Sequence, residues 1–144
     1  MALQFSPLSE TRLETCDPKL RRLFLEVLRQ GVDCTVLCGH RGKDEQDEAV
    51  RTGKSKTPWP TSKHNSLPSR AVDVAPYPVE WPSHSMGIEA YARALGRWYL
   101  FVGYVRATAD RLGIRVRSGA DWDGDFEVKD QNFHDLPHWE LLDD

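Results

Sequence analysis

The sequence predicts an α+β fold, a single domain over residues 1–144 in which helices cover a few short strands. Three observations carry this reading. Apolar residues recur at helical spacing over 18–31 and 87–112, and the second run is the longest periodic stretch in the chain. Short apolar runs at 32–37, 71–75, 114–117 and 138–141 have the length of strands, and the first three are rich in β-branched residues. A chain of 144 residues can bury one substantial core but not two independent ones.

In order along the chain, residues 1–16 read as a polar leading segment with Ser9 and Thr11 as candidate caps. Asp17-Pro18 then reads as N-cap and first helical position, because proline loses no hydrogen bond there. Leu20, Leu23, Phe24, Val27 and Leu28 lie on one face of that helix, and Gly31 closes it. Val32–Leu37 is predicted as a buried strand, and Asp44–Arg51 as a short polar helix that Gly53 stops. Residues 53–70 must be loop, since Pro58, Pro60 and Pro68 forbid regular helix or central strand. The loop runs into the strand Ala71–Ala75, whose single carboxylate, Asp73, needs a partner if buried. A proline-rich turn over 76–82 precedes the main core helix, Gly87–Leu112. Ile114–Arg117 alternates as a strand with one wet face, 118–131 is a glycine- and aspartate-rich loop, and a strand around 138–141 ends the chain.

Composition removes several classes of function. Hydrophobic content of 40% and charged content of 28% are those of an ordinary globular protein. A net charge of −3, with Lys and Arg dispersed apart from Lys19, Arg21 and Arg22, gives no footprint for nucleic acid. Cysteines 16, 34 and 38 are odd in number and include a Cys-x3-Cys pair, unlike a secreted disulfide framework. Cys34 lies in an apolar run, where free cysteine behaves as a small hydrophobe. A monomer with three free thiols is expected. No basic start followed by an apolar run marks a signal peptide, and no window reaches the length of a membrane span. Synthesis and retention in the cytosol, without stable membrane association, are therefore expected.

The chemistry concentrates in two stretches, Ser62-Lys63-His64 running to Ala71-Val72-Asp73, and His134-Asp135-Leu136-Pro137-His138-Trp139-Glu140. His64, Asp73 and His138 form the inventory of a catalytic zinc site, three ligands that leave one position for water. Asp135 is a spare carboxylate able to handle that water's proton. Residues three apart in extended chain point to opposite faces, so a local turn must bring Asp135 over the site. Glu140 could orient a ligand histidine. Taken singly, His64 reads as a loop residue and His138 as a core histidine, and the conjunction is what points to a metal. Asp121, Asp123, Asp125 and Glu127 offer oxygen ligands for Ca2+, although Gly124 is not at the sixth place of an EF-hand loop. A solvated acidic loop is the alternative.

The pattern resembles the M15 peptidase family, which includes D-alanyl-D-alanine carboxypeptidases and bacteriophage endolysins that cleave the L-alanyl-D-glutamate bond of peptidoglycan. The resemblance covers Arg12-Leu13, Gly39-His40-Arg41 with Gln46, Gly53-Lys54-Ser55-Lys56-Thr57, Ser62-Lys63-His64, Ala71-Val72-Asp73 and Asp135-Leu136-Pro137-His138-Trp139-Glu140. It implies a Hedgehog/D-Ala-D-Ala-peptidase-like fold, with a small antiparallel sheet packed against helices. It implies Zn2+ on His64, Asp73 and His138, with Asp135 as acid/base. It also implies that Arg41 faces the substrate; a surface salt bridge to Asp44 or Asp47 is the alternative. The expected substrate is the peptidoglycan stem peptide. The implied setting is host lysis, with release from the cytoplasm to the wall by a separate pore-forming protein and no separate wall-binding domain. A D,D-carboxypeptidase and a catalytically silent zinc-stabilised module are the competing readings. One departure is that Asn65–Arg70 puts two extra residues, and no glycine, into the family's spacing between histidine and aspartate.

Overall fold

Four short strands form one antiparallel sheet in the order β1-β2-β4-β3, covered on one face by helices. The computed structural model describes residues 2–129 and 134–143. Its elements are α1 (Pro7–Glu14), α2 (Pro18–Arg29), β1 (Cys34–Cys38), α3 (Lys43–Arg51), β2 (Ala71–Pro76), α4 (Ile88–Leu112), β3 (Val116–Ser118) and β4 (His138–Leu141). The fold class matches the expectation, and all but one of the regular elements fall within two residues of where patterning puts them.

The exception is α1. Residues 7–14 are helical where a polar leading segment is expected. The helix buries only Ser9 and Leu13, so it carries almost no apolar period to read. Neither expected cap acts as one. Ser6 is the N-cap and accepts from the Ser9 amide at 3.1 Å. Ser9 is instead buried against β1, where its hydroxyl accepts from the Val36 amide at 3.0 Å and meets Thr35 Oγ1 at 3.0 Å. Asp17, by contrast, caps α2 as its sequence predicts, accepting from the Lys19 amide at 2.9 Å.

The core lies between α2, α4 and one face of the sheet. Leu20, Leu23, Phe24 and Val27 of α2 and Trp98 and Val105 of α4 are fully buried, together with Val36, Val72, Val74 and Trp139 from the strands. Phe24 meets Trp139 edge-on, with ring centroids 6.4 Å apart. Successive side chains alternate across a sheet. With Val72, Val74, Trp139 and Leu141 pointing into the core, Asp73, His138 and Glu140 must occupy the other face. Arg117 joins them, since its neighbour Val116 is a core residue. Hydrophobic patterning thus places the polar residues of three strands together.

Candidate active site

Register decides which of those polar residues meet. Asp73 of β2 pairs with His138 of β4, and Arg117 of β3 pairs with Glu140. Directly opposed residues carry side chains within contact distance. His64 arrives from a different direction, on a short 3-10 turn at Lys63–Asn65 that Ser62 caps. Its ring centroid lies 5.2 Å from that of His138.

The ligand atoms of His64, Asp73 and His138 all lie within 4.8 Å of one another, and all three residues are buried. His64 Nε2 stands 3.3 Å from Asp73 Oδ1, and His138 Nδ1 stands 3.4 Å from the same oxygen. Each ring is oriented by its other nitrogen. His64 Nδ1 donates to the Gly39 carbonyl at 2.7 Å, and His138 Nε2 donates to Glu140 Oε1 at 2.8 Å. That leaves His64 Nε2 and Asp73 Oδ1 as buried polar atoms with no hydrogen-bond partner. Buried polar groups are nearly always satisfied, and an ion is one of the few things that explains an exception. The donor set, two imidazole nitrogens and a carboxylate oxygen with carboxylate and guanidinium support behind, could hold a metal ion.

The electrostatics fit this use. Burial opposes charge on His64, yet the Asp73 carboxylate outweighs it and pushes the imidazole pKa up to about 10. His138 is raised as well: burial works against it, and Asp73 and Glu140 overcome that. Asp73 is held well below the usual carboxylate range, since the two histidines outweigh its desolvation. Without a metal the carboxylate is therefore surrounded by protons that a cation can displace. Glu140 is itself held at about 2, its burial outweighed by hydrogen bonds from His138 and Arg117. Arg117 Nη2 reaches it at 2.8 Å and Lys63 Nζ at 3.4 Å. Replacing Glu140 with Gln should weaken metal binding about 10–100-fold by removing the charge that steadies His138. Competition against a chromophoric chelator measures this, and unchanged affinity would show that Glu140 serves only to pair with Arg117 and Lys63.

The turn that Asp135 requires is present. The His138 amide donates to the Asp135 carbonyl at 3.1 Å, folding the chain across Leu136-Pro137. Gly119 pins it, accepting from the Asp135 amide at 2.9 Å and donating to the His138 carbonyl at 2.8 Å. A Cβ on Gly119 would stand 2.2 Å from the Asp135 carbonyl oxygen, so only glycine allows this approach. Asp135 Oδ2 consequently lies 3.9 Å from His138 Nδ1, and burial followed by the nearby Asp73 charge raises its pKa to about 6. Nothing in the sequence marks Gly119 beyond its place after a strand. Trp122, whose ring lies 5.3 Å from that of His138, is likewise invisible to motif reading.

Arg41 is a buried site residue and makes no surface salt bridge. Its Nη2 lies 3.5 Å from Asp73 Oδ2 and its Nη1 donates to Gln46 Oε1 at 3.0 Å. With the two-residue extension between them, His64 and Asp73 still lie together. Ser66, Leu67 and Pro68 bulge outward into solvent, and the Arg70 amide closes the bulge on the Lys63 carbonyl at 3.0 Å. Cys16 and Cys34 are buried, and burial pushes both thiols up to about 12. Cys38 is half-buried beside the site; all three are free.

Asp121, Asp123 and Asp125 also offer carboxylate oxygens within 4.8 Å of one another, so a cation could sit there. The same carboxylates shape the loop from within: Asp121 accepts from the Phe126 amide at 2.9 Å and Asp125 from the Glu127 amide at 2.8 Å. Residues 130–133 lie outside the described residues.

His64, Asp73, Asp135 and His138 open on a cavity of about 390 Å3 that Arg41, Lys54–Thr57, Arg117 and Trp122 also line. A buried His-Asp-His group beside a spare carboxylate, lining one cavity of an α+β domain, fits a peptidase with a candidate metal centre. The chain belongs to the phage L-alanyl-D-glutamate peptidase family, whose sequence profile matches residues 1–142. It is 29% identical to the L-alanyl-D-glutamate peptidase of Escherichia phage T5 over 150 residues, covering 99% of this chain and 100% of the relative. The crystal structure of the L-Ala D-Glu endopeptidase ChiX of Serratia marcescens superposes with a TM-score of 0.67 at 28% identity, covering 98% of this chain and 91% of that one.

Proposed function

We propose that this protein is a zinc-dependent endolysin that hydrolyses the L-alanyl-D-glutamate bond of peptidoglycan stem peptides. The observation that carries the reading is the pair of buried ligand atoms on His64 and Asp73 that no hydrogen bond satisfies, converging with His138 in a chain of this family. Two imidazoles and one carboxylate suit Zn2+ and leave a coordination position free. Bound there, zinc supplies Lewis acidity, polarising a carbonyl and making water a better nucleophile near neutral pH. Asp135 takes the proton of the attacking water as the new C–O bond forms, then gives it to the departing nitrogen as the C–N bond breaks. Arg41 holds Asp73 by one guanidinium nitrogen and presents positive charge to the developing oxyanion.

The protein acts as a monomer on the wall after a separate pore-forming protein has opened the membrane. No helix among the described residues is long and apolar enough to cross a membrane. Zinc dependence is tested on purified sacculi. Protein stripped by a strong chelator should lose wall lysis, and about one equivalent of Zn2+ per chain should restore it. Undiminished lysis by protein that elemental analysis finds free of metal would overturn the proposal.

A further inference from the structure

We propose that Lys54 and Lys56 form a carboxylate subsite that selects the acidic form of the glutamyl residue at the scissile bond. The inference rests on the substrate class proposed above. Glutamate joined through its amine keeps two carboxyl groups, and a linear peptide continues through only one. An L-alanyl-D-glutamate bond therefore carries a free carboxylate a few bonds from the nitrogen that leaves, unless the cell has converted it to an amide. A cleft that reads this residue needs positive charge on its wall, held in place relative to the reacting centre.

The carboxylates of the cavity gather around the candidate metal centre. Asp73 faces Arg41 and both histidines, Glu140 is shared by His138, Arg117 and Lys63, and Asp135 turns towards His138. Lys54 and Lys56 line the same cavity from the segment after α3, with exposed side chains. That segment is built rather than loose. Gln46, fully buried on α3, donates to Ser55 Oγ at 3.0 Å and to the Thr57 carbonyl at 2.6 Å. Ser55 donates its amide to the Ala49 carbonyl at 3.0 Å. The same Gln46 accepts from Arg41 Nη1 at 3.0 Å and from Asn65 Nδ2 at 3.1 Å. One amide group thus fixes the lysine-bearing wall relative to Arg41 and to the residue after His64. In a protein of net charge −3, two lysines on a backbone segment fixed beside this cleft put positive charge on its wall, where an anionic part of the substrate can meet it.

The test uses two synthetic stem peptides, identical except that the free carboxyl of the glutamyl residue is a carboxylate in one and a carboxamide in the other. The zinc-loaded parent should favour the carboxylate by about tenfold to a hundredfold in kcat/KM, mainly through KM, the range expected for charge-assisted contacts. The double variant Lys54→Gln, Lys56→Gln should bring the ratio close to unity. Lys54→Arg with Lys56→Arg should keep a preference for the carboxylate. A parent that cleaves both peptides alike, or a Gln double variant that keeps the preference, would overturn the subsite and leave the proposed activity standing. A parent that cleaves neither peptide would overturn both.

Discussion

Asp135→Asn should fold and bind zinc like the parent, yet lyse walls about 10²–10⁴-fold more slowly, the span of positioned acid–base catalysis. The carboxamide keeps the size of the side chain but can neither accept the proton of water nor return one to the leaving nitrogen. The metal should stay, because His64, Asp73 and His138 are untouched. The fold should stay because the raised pKa of Asp135 means that its ionised form costs the folded state. In the metal-free protein that cost appears as pH rises above the ordinary carboxylate pKa and is complete above about 6, and Asn removes it. His138→Ala is the contrast, since it should lose both lysis and zinc. Zinc content and lysis rate for the two variants separate the roles, and parental lysis by Asp135→Asn would refute the acid/base assignment.

Asp73→Ala should damage both metal binding and stability. Asp73 faces His64, His138 and Arg41 together. Without it Arg41, only 6% exposed, keeps a buried charge whose remaining hydrogen-bond partner through Nη1 is the neutral Gln46. Removing one member of a buried ion pair costs about 3–5 kcal/mol, because the other is left uncompensated. The loss is expected in chemical denaturation of the zinc-free protein, where the absence of metal cannot explain it. An unchanged midpoint would mean that the cluster is held by its backbone alone.

Much of this arrangement is legible in the order of the residues. Asp17-Pro18 followed by an apolar stripe specifies α2, and the strands β1 and β2 follow from β-branched runs bounded by turn residues. The need for a bend at Asp135 follows from strand geometry, and the turn is there. The unreadable parts depend on tertiary contact. Helix α1 is polar because it buries little more than Ser9 and Leu13, and no periodicity announces it. The pairing of Asp73 with His138 is a matter of register, which a single strand does not encode. Arg41 reads equally well as a surface residue, because the guanidinium suits solvent and a buried carboxylate alike. Gly119 matters through a backbone approach to Asp135 made by a part of the chain many residues away.

The central claim is that these residues cut one particular bond, and mass spectrometry of the muropeptides released from purified sacculi tests it most directly. The account predicts glycan-linked fragments ending in L-alanine, with freed peptides beginning at D-glutamate, formed only by the zinc-loaded protein. Products that instead lack only a terminal D-alanine, or new ends elsewhere in the stem, would contradict it.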